Sequence, residues 1–330
     1  MLKELISVNE KRHIYYPEIR YRTLQSRLSF LAAAVLIIIC LSAGCIQQPV
    51  PNGITSNATP DLTVAVTILP QKYFVERIAG DPAKVIVLVP PGANPHTYEP
   101  TPGQLVEISS ADVYVKVGSS IEFERAWMEK IAGVNPSMTV VDSSKGIQLL
   151  ESQGEEEDEE HSHTSGEEAG TDPHIWLSLR NARIMAENTY QGLATADPGH
   201  AAEYRANTDS FVRELDDLDA AIARDVAARN ISTFMVYHPA WSYFARDYGL
   251  VQIPIEADGK EPTAAGIENL IRQAREKNIT VVFASPEYST RSAEVIADEI
   301  GGRVVLVSPL EEDFLKNMKN AASAFIEGSR

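Results

Sequence analysis

Short runs of β-branched and other apolar residues alternate with amphipathic stretches along two parts of this chain. The runs that predict strands are 62–68, 84–89, 112–117, 138–141, 233–237, 250–255, 280–284 and 303–307. The clearest helical stretches between them are 70–79, 102–110, 263–277 and 289–300. Nearly continuous apolar strands separated by helices are typical of parallel sheets covered on both faces. The alternation therefore predicts an α/β fold with two similar parallel-sheet lobes, one over 61–180 and one over 230–330.

A helical region over 181–229 separates the two predicted lobes. Asp197-Pro198 supplies a helix N-cap followed by the residue favoured at the first helical position. The apolar residues then recur at helical spacing: Phe211, Leu215, Leu218, Ile222 and Val226. A helix over 198–229 has about 32 residues and a length of roughly 48 Å at about 1.5 Å per residue. The pattern predicts a stiff strut that joins the lobes.

The N-terminus has the pattern of an export signal. Three arginines precede an apolar run over 28–41, which at about 14 residues is shorter than the roughly 20 needed to span a bilayer. The run ends in Leu-Ser-Ala-Gly before Cys45, which resembles a lipobox. We expect 1–45 to be a lipoprotein signal with Cys45 as the lipid anchor, on the outer face of the cytoplasmic membrane. The alternative is an uncleaved signal anchor. Residues 46–60 are rich in Pro, Asn, Ser and Thr, which predicts a flexible tether.

Cysteine content and net charge exclude several kinds of site and partner for the region after Cys45. The second cysteine, Cys40, lies inside the apolar run, so the region after Cys45 has no cysteine. This excludes disulfides, thiolate metal sites and thiol catalysis there. The 46 acidic and 29 basic residues give a net charge of −17, which argues against nucleic acid as a partner and favours cations.

An acidic insertion interrupts the first predicted lobe at about 151–171. It contains a run of Glu and Asp followed by His161 and His163. Like charges repel one another and no apolar residue is available for packing, so the segment predicts a mobile loop.

Three histidines stand apart because each directly neighbours a proline. They are His96, His174 and His238, whereas His200 falls in the first turn of the long helix, where we expect a solvated side chain. Proline stiffens the backbone around these three, which suits a ligand set formed before the metal arrives. Three neutral imidazoles suit Zn²⁺ and leave a fourth position for water or a carboxylate. The spacing alone does not show that the three converge.

The sequences around these histidines resemble a known family. They read Pro-His-Thr-Tyr-Glu-Pro at 95–100, Asp-Pro-His-Ile-Trp at 172–176 and His-Pro-Ala-Trp-Ser-Tyr-Phe at 238–244. In this order they are similar to the zinc- and manganese-binding lipoproteins of ABC uptake transporters, the ZnuA-type proteins. The resemblance covers about 60–325 and implies two α/β lobes joined by a long helix, with a metal in the cleft between them.

The resemblance also implies the ligands and the metal. The matching ligand positions are His96, His174 and His238. Histidine at the third position accompanies zinc in this family and glutamate accompanies manganese, so Zn²⁺ is expected and Mn²⁺ is the lesser candidate. Many relatives carry an aspartate where this chain has Ser308, so water or Glu287 is expected to fill the fourth position. The family's loop is proposed to gather zinc, which makes His161 and His163 auxiliary ligands; a solvated insertion is the alternative.

Three classes of function compete for this sequence. The first is a monomeric, non-enzymatic receptor that captures Zn²⁺ and delivers it to an ABC permease. No Gly-x-x-x-x-Gly-Lys-Ser/Thr run occurs in the sequence, so a cytoplasmic ATPase must be a separate partner. The second is a zinc-dependent hydrolase with Glu99 as base, although the sequence has no His-Glu-x-x-His. The third is a surface adhesin, as some relatives were first described.

Overall fold

The structure is a computed structural model that describes residues 62–80, 83–152, 170–257 and 259–328. The predicted signal with Cys45, the tether, and the loop histidines His161 and His163 all lie outside the described residues. Within the described ranges, no helix combines the length and the apolar character required to cross a bilayer.

The first lobe is built on a four-stranded parallel sheet with the order β2-β1-β3-β4. Its strands are β1 (Leu62–Val66), β2 (Ala83–Val87), β3 (Val113–Lys116) and β4 (Thr139–Asp142). Its helices are α1 (Leu69–Ala79), α2 (Pro102–Ile108) and α3 (Glu122–Val134). Val64 of β1 is paired with Val85 and Val113 in the neighbouring strands. All residues of the central strands β1 and β3 are buried except Thr63 and Lys116, which explains their largely apolar sequence.

Two long helices connect the lobes. They are α4 (Leu179–Ala196) and α5 (Ala201–Arg229), with a 3-10 turn at Pro198–His200 between them. The 29 residues of α5 span about 43 Å. The predicted long helix is therefore present, but its first turn is 3-10. His200 is not simply solvated as expected, because its Nδ1 lies 2.6 Å from Oδ2 of Asp197.

The second lobe repeats the strand order of the first, as β6-β5-β7-β8 with all pairs parallel. Its strands are β5 (Thr233–Val236), β6 (Val251–Pro254), β7 (Val281–Ala284) and β8 (Arg303–Leu306). Its helices are α6 (Ser242–Tyr248), α7 (Ala264–Glu276), α8 (Arg291–Ile300) and α9 (Phe314–Gly328). The predicted class, two parallel-sheet α/β lobes with a long helix, is confirmed.

One large apolar cluster extends through both lobes, and a second, smaller one lies within the second lobe. Phe74 on α1 lies 5.3 Å from Phe211 on α5 and 4.9 Å from Phe314 on α9, measured between ring centroids. The large cluster contains strand residues of both sheets, such as Val64 and Val236. Because packed interiors resist deformation, the shared core limits the two lobes to small relative movements. This brings the loops after the strands of both sheets to one cleft, where open α/β sheets place their ligands.

Candidate metal centre

The first ligand loop follows β2 and carries His96. The side chain of Asn94 accepts a hydrogen bond from the backbone N–H of His96 at 2.9 Å. The carbonyl oxygen of Asn94 accepts two more, from the N–H groups of Thr97 and Tyr98. With Pro95 restricting the backbone, these bonds fix the loop as the sequence predicts. The Nδ1 atom of His96 lies 2.6 Å from Oε2 of Glu122.

The position of Glu122 is set by the loop after β3. The buried carboxylate of Glu124 accepts hydrogen bonds from the N–H groups of Val117 (2.6 Å) and Gly118 (2.9 Å) in this loop. Burial raises the pKa of Glu124. Gly118 has φ +82°, and a Cβ there would meet the Asp142 carboxylate at 2.0 Å, so only glycine fits. The loop thus leads directly into α3, where Glu122 is the first residue.

The second ligand, His174, lies just before a short 3-10 helix at Ile175–Leu177. One oxygen of Asp172, Oδ1, is 2.9 Å from both the backbone N and the Nδ1 of His174. Both side chains are about 5% exposed. Two bonds to one carboxylate oxygen leave the imidazole little freedom to rotate.

The third ligand, His238, follows β5 directly in the second lobe. Its Nδ1 lies 2.5 Å from Oε1 of the buried Glu256, which follows β6. The ring of Tyr288 stacks on the imidazole, with centroids 4.5 Å apart and an angle of 20°. Burial, with smaller contributions from His174 and His96, lowers the pKa of His238 well below its usual value. The imidazole is therefore neutral at pH 7 and its Nε2 is available as a ligand.

The three imidazoles converge through their Nε2 atoms. Nε2 of His174 lies 3.2 Å from that of His96 and 3.1 Å from that of His238. Two nitrogens bound at about 2.0–2.1 Å to a tetrahedral Zn²⁺ would be roughly 3.3 Å apart. Each Nδ1 faces a carboxylate, so in the neutral rings Nδ1 carries the proton and Nε2 is an acceptor. Three acceptor nitrogens that face one another suit a shared cation, and the donor set fits zinc.

Glu287 lies beside this cluster but is bound to serines. Its Oε1 accepts a hydrogen bond from Oγ of Ser308 at 2.6 Å, and its Oε2 accepts one from Ser285. Glu287 lines a small pocket together with the three histidines. Ser308 thus holds a carboxylate near the cluster.

A cleft of about 650 Å³ opens on the histidines. Its charged lining residues are Glu122, Arg125, Asp172, Glu256 and Glu261. Three of these carboxylates are the partners of the imidazoles, and the excess of negative charge attracts cations. Glu99, the base of the hydrolase alternative, is exposed and does not line this cleft among the described residues.

The described ends of the acidic insertion lie at the mouth of the same cleft. Glu151 and Thr171 form an antiparallel bridge, and the N–H of Ser152 donates to the carbonyl of Gly170 at 2.6 Å. Ser152, Gly170 and Thr171 also line the cleft. We call residues 150–152 and 170–172 the neck of the insertion.

The sequence patterns did not identify the three carboxylates that orient the imidazoles as functional residues. Asp172 stands inside the Asp-Pro-His motif, two residues before its histidine, where a role could have been proposed. Glu122 and Glu256 are 26 and 18 residues from their partners. A usable signal was available, because both follow a strand end, where polar side chains of parallel sheets converge.

Two parallel-sheet lobes around a histidine-lined cleft form the arrangement of a solute-binding protein. The family model described as "Zinc-uptake complex component A periplasmic" (ZnuA) matches residues 64–328. The chain belongs to this family. The family is named for zinc uptake and not for catalysis. This confirms the predicted non-enzymatic class and disfavours the zinc-dependent hydrolase.

Individual relatives agree with this assignment. The chain is 31% identical over 287 residues to the high-affinity zinc uptake system protein ZnuA of Bacillus subtilis, covering 86% of this chain and 88% of that protein. It is 28% identical to the zinc-binding lipoprotein AdcA of Streptococcus pneumoniae, covering 86% of this chain but only 55% of AdcA, about half its length. A crystal structure of a ZnuA deletion mutant with zinc bound matches with a TM-score of 0.74 and 41% identity, covering 81% of this chain and 98% of that one.

Proposed function

We propose that this protein is the extracytoplasmic receptor of an ABC importer and captures Zn²⁺ with His96, His174 and His238. The observation that carries the proposal is that Nε2 of His174 lies 3.1–3.2 Å from the Nε2 atoms of His96 and His238 while each Nδ1 faces a carboxylate. Carboxylates behind imidazole ligands fix the tautomer and raise the basicity of the ligating nitrogen. The site is thus arranged for the metal before the metal arrives.

The donor set favours Zn²⁺ over Mn²⁺. Imidazole nitrogen suits zinc, whereas carboxylate, carbonyl and water oxygens suit manganese. The carboxylates at this site are bound to the outer ring nitrogens, so they support the ligands and do not replace them. We expect Mn²⁺ to bind more weakly at the same position.

A water molecule takes the fourth coordination position in this proposal. Three protein nitrogens leave one position open, and the cleft beside the histidines has room for solvent. Glu287 is the alternative fourth ligand, but both of its oxygens accept serine hydroxyls. To bind the metal, this carboxylate would have to give up at least one of those hydrogen bonds.

We infer the delivery of Zn²⁺ to a membrane permease from the family's role in zinc uptake. The protein acts as a monomer, is tethered outside the cytoplasmic membrane through a lipid on Cys45, and passes Zn²⁺ to a permease driven by a cytoplasmic ATPase. His161 and His163 in the acidic insertion act as an auxiliary site that raises the local zinc concentration. The neck of the insertion lies at the cleft mouth, which supports this arrangement.

Calorimetric titration of the metal-free protein with Zn²⁺ and Mn²⁺ tests the proposal. The variant is His238→Ala, and the matched control is His200→Ala, whose imidazole also pairs with a carboxylate but lies on the long helix. We expect one tight zinc site in the wild type and in His200→Ala. In His238→Ala we expect affinity to fall by at least about 100-fold, since even outer partners of metal ligands contribute about 10- to 100-fold.

A variant with His161 and His163 both changed to alanine separates the cleft from the insertion. We expect it to keep the tight site. If zinc binding disappeared with these two histidines and was unaffected by His238→Ala, the metal would belong to the insertion and the receptor site proposed here would be wrong.

A further inference from the structure

The three imidazole–carboxylate pairs differ in how they relate to the two lobes. His96 and Glu122 both follow strands of the first sheet, and His238 and Glu256 both follow strands of the second. His174 and Asp172 belong instead to the segment 172–178, which leads from β4 into α4. We call this stretch the His174 segment.

Both lobes hold the His174 segment through hydrogen bonds. From the first lobe, Oγ of Ser119 donates to the carbonyl oxygen of Pro173. From the second lobe, the carbonyl of Pro309 accepts from Nε1 of Trp176 at 2.8 Å. The carboxylate of Asp247 on α6 accepts from Oγ of Ser178 at the end of the segment. Any displacement of one lobe against the other therefore acts on this segment.

The hydroxyl of Tyr243 on α6 makes the contact nearest to the ligand. It donates to the carbonyl oxygen of Asp172 at 2.8 Å and accepts from the N–H of Leu150 at 3.0 Å. The Tyr243 side chain is fully buried, so water cannot replace either bond. The N–H of Asp172 in turn donates to the carbonyl oxygen of Leu150 at 2.8 Å. One hydroxyl of the second lobe thus fixes the backbone of the residue whose side chain orients His174.

We propose that Tyr243 is a positioning residue that ties the orientation of His174 to the relative position of the lobes. Release of the metal then begins at His174. A small shift of α6 away from the first lobe moves the Asp172 backbone and turns the Asp172 carboxylate. His174 then withdraws from the metal, while His96 and His238 stay with their own lobes. The shared core permits only such small shifts. This inference rests on the proposed function, because it assigns a role in releasing the zinc bound there.

A pair of single-atom deletions on the same helix tests this role. Tyr243→Phe removes the hydroxyl at the neck. The matched control is Tyr248→Phe, which removes a hydroxyl that donates to Oδ1 of Asp219 on α5 at 2.8 Å, away from the histidines. Zinc release is measured by stopped-flow transfer to a chelator. We expect release about 3- to 10-fold faster in Tyr243→Phe and unchanged in Tyr248→Phe, a smaller effect than losing an outer carboxylate directly.

A second readout follows the ligand itself without metal. The ring nitrogen resonances of His174 in the metal-free protein report its orientation and tautomer. We expect them to shift or broaden in Tyr243→Phe, with those of His96 unchanged. If Tyr243→Phe does not fold, a fluorotyrosine at position 243 keeps the ring and makes the hydroxyl a stronger donor, and release is expected to slow.

The outcomes separate this inference from the proposed function. Suppose that Tyr243→Phe binds zinc one-to-one and has the same release rate and the same His174 resonances as the wild type. This result would overturn the role of Tyr243 and leave the proposed receptor function intact. Equal acceleration in both phenylalanine variants would also overturn it, because the effect would then be general destabilisation. Absence of tight zinc binding in the wild type would instead refute the proposed function.

Discussion

The two lobes share a strand order, yet they supply the metal centre in different ways. In the first sheet the loop after β2 carries a ligand, His96, and in the second the equivalent loop after β6 carries a carboxylate, Glu256. The ligand of the second lobe, His238, follows β5 instead. Similar folds therefore do not imply equivalent site residues, because each loop has its own sequence and only the strand ends are shared.

The pairs also differ in contact with water. The side chain of Glu122 is 49% exposed and that of Glu256 is 3% exposed. Electrostatic interactions are stronger and less screened when they are buried. The pair of the second lobe is thus the buried, dry half of the site, and the pair of the first lobe is the solvated half. Substitutions of the two carboxylates compare these halves directly.

Glu256→Gln is expected to have the largest effect. The buried imidazole of His238 would lose its charged partner, and zinc affinity should fall by about 10- to 100-fold. Competition with a fluorescent chelator measures the change. Glu261→Gln is the control, since Glu261 lines the same cleft but pairs with the hydroxyl of Tyr237. Equal losses in both variants would mean that net charge, rather than contact with His238, is responsible.

Glu122→Gln should have a smaller effect, below about 10-fold, because water competes for its hydrogen bond with His96. Although partial burial opposes the charge, the bond to His96 lowers the pKa of Glu122, so the carboxylate is ionised at pH 7. The effect of the substitution should shrink as salt is added, unlike that of Glu256→Gln. A loss as large as that of Glu256→Gln, and insensitive to salt, would contradict the distinction between the two halves.

The free energy of unfolding of the metal-free protein at acidic pH is expected to depend on the buried pair of His238 and Glu256. The pKa of His238 is held well below its usual value of about 6.5, so the unfolded chain binds a proton that the folded protein does not. The free energy of unfolding should therefore fall as pH decreases through about 6.5, by up to about 1.4 kcal/mol per pH unit from this group. Thermal unfolding between pH 7 and 5 measures it. His238→Ala should flatten this slope, and an unchanged slope would refute the assignment.

Glu287→Gln is expected to have the smallest effect. If water completes the coordination, zinc affinity should change by less than about 3-fold, because the amide can still accept a serine hydroxyl. Calorimetry at constant ionic strength measures the change. A loss above about 10-fold would identify Glu287 as a ligand. The second lobe would then supply two metal ligands, His238 and Glu287.

The sequence predicts the fold and the three histidines better than it predicts their surroundings. Strands, helices and the proline-flanked loops follow from local patterns, since apolar period, capping residues and proline act within a few residues. The pairing of His238 with Glu256 joins two different strand ends, and the contact of Tyr243 with Asp172 joins residues 71 apart. Such contacts depend on how the sheets are placed in space, which no local pattern specifies. The long helix begins at Pro198 as predicted, but its first turn is 3-10, which the capping pattern does not specify.

X-ray absorption at the zinc edge of the protein loaded with one equivalent of Zn²⁺ tests the central claim most directly. We predict a nitrogen and oxygen shell at about 2.0–2.1 Å with outer scattering from three imidazoles. The signal of one imidazole should disappear in His174→Ala. A spectrum with at most two imidazoles and mainly carboxylate oxygen, unaffected by His174→Ala, would contradict an interlobe site of three histidines.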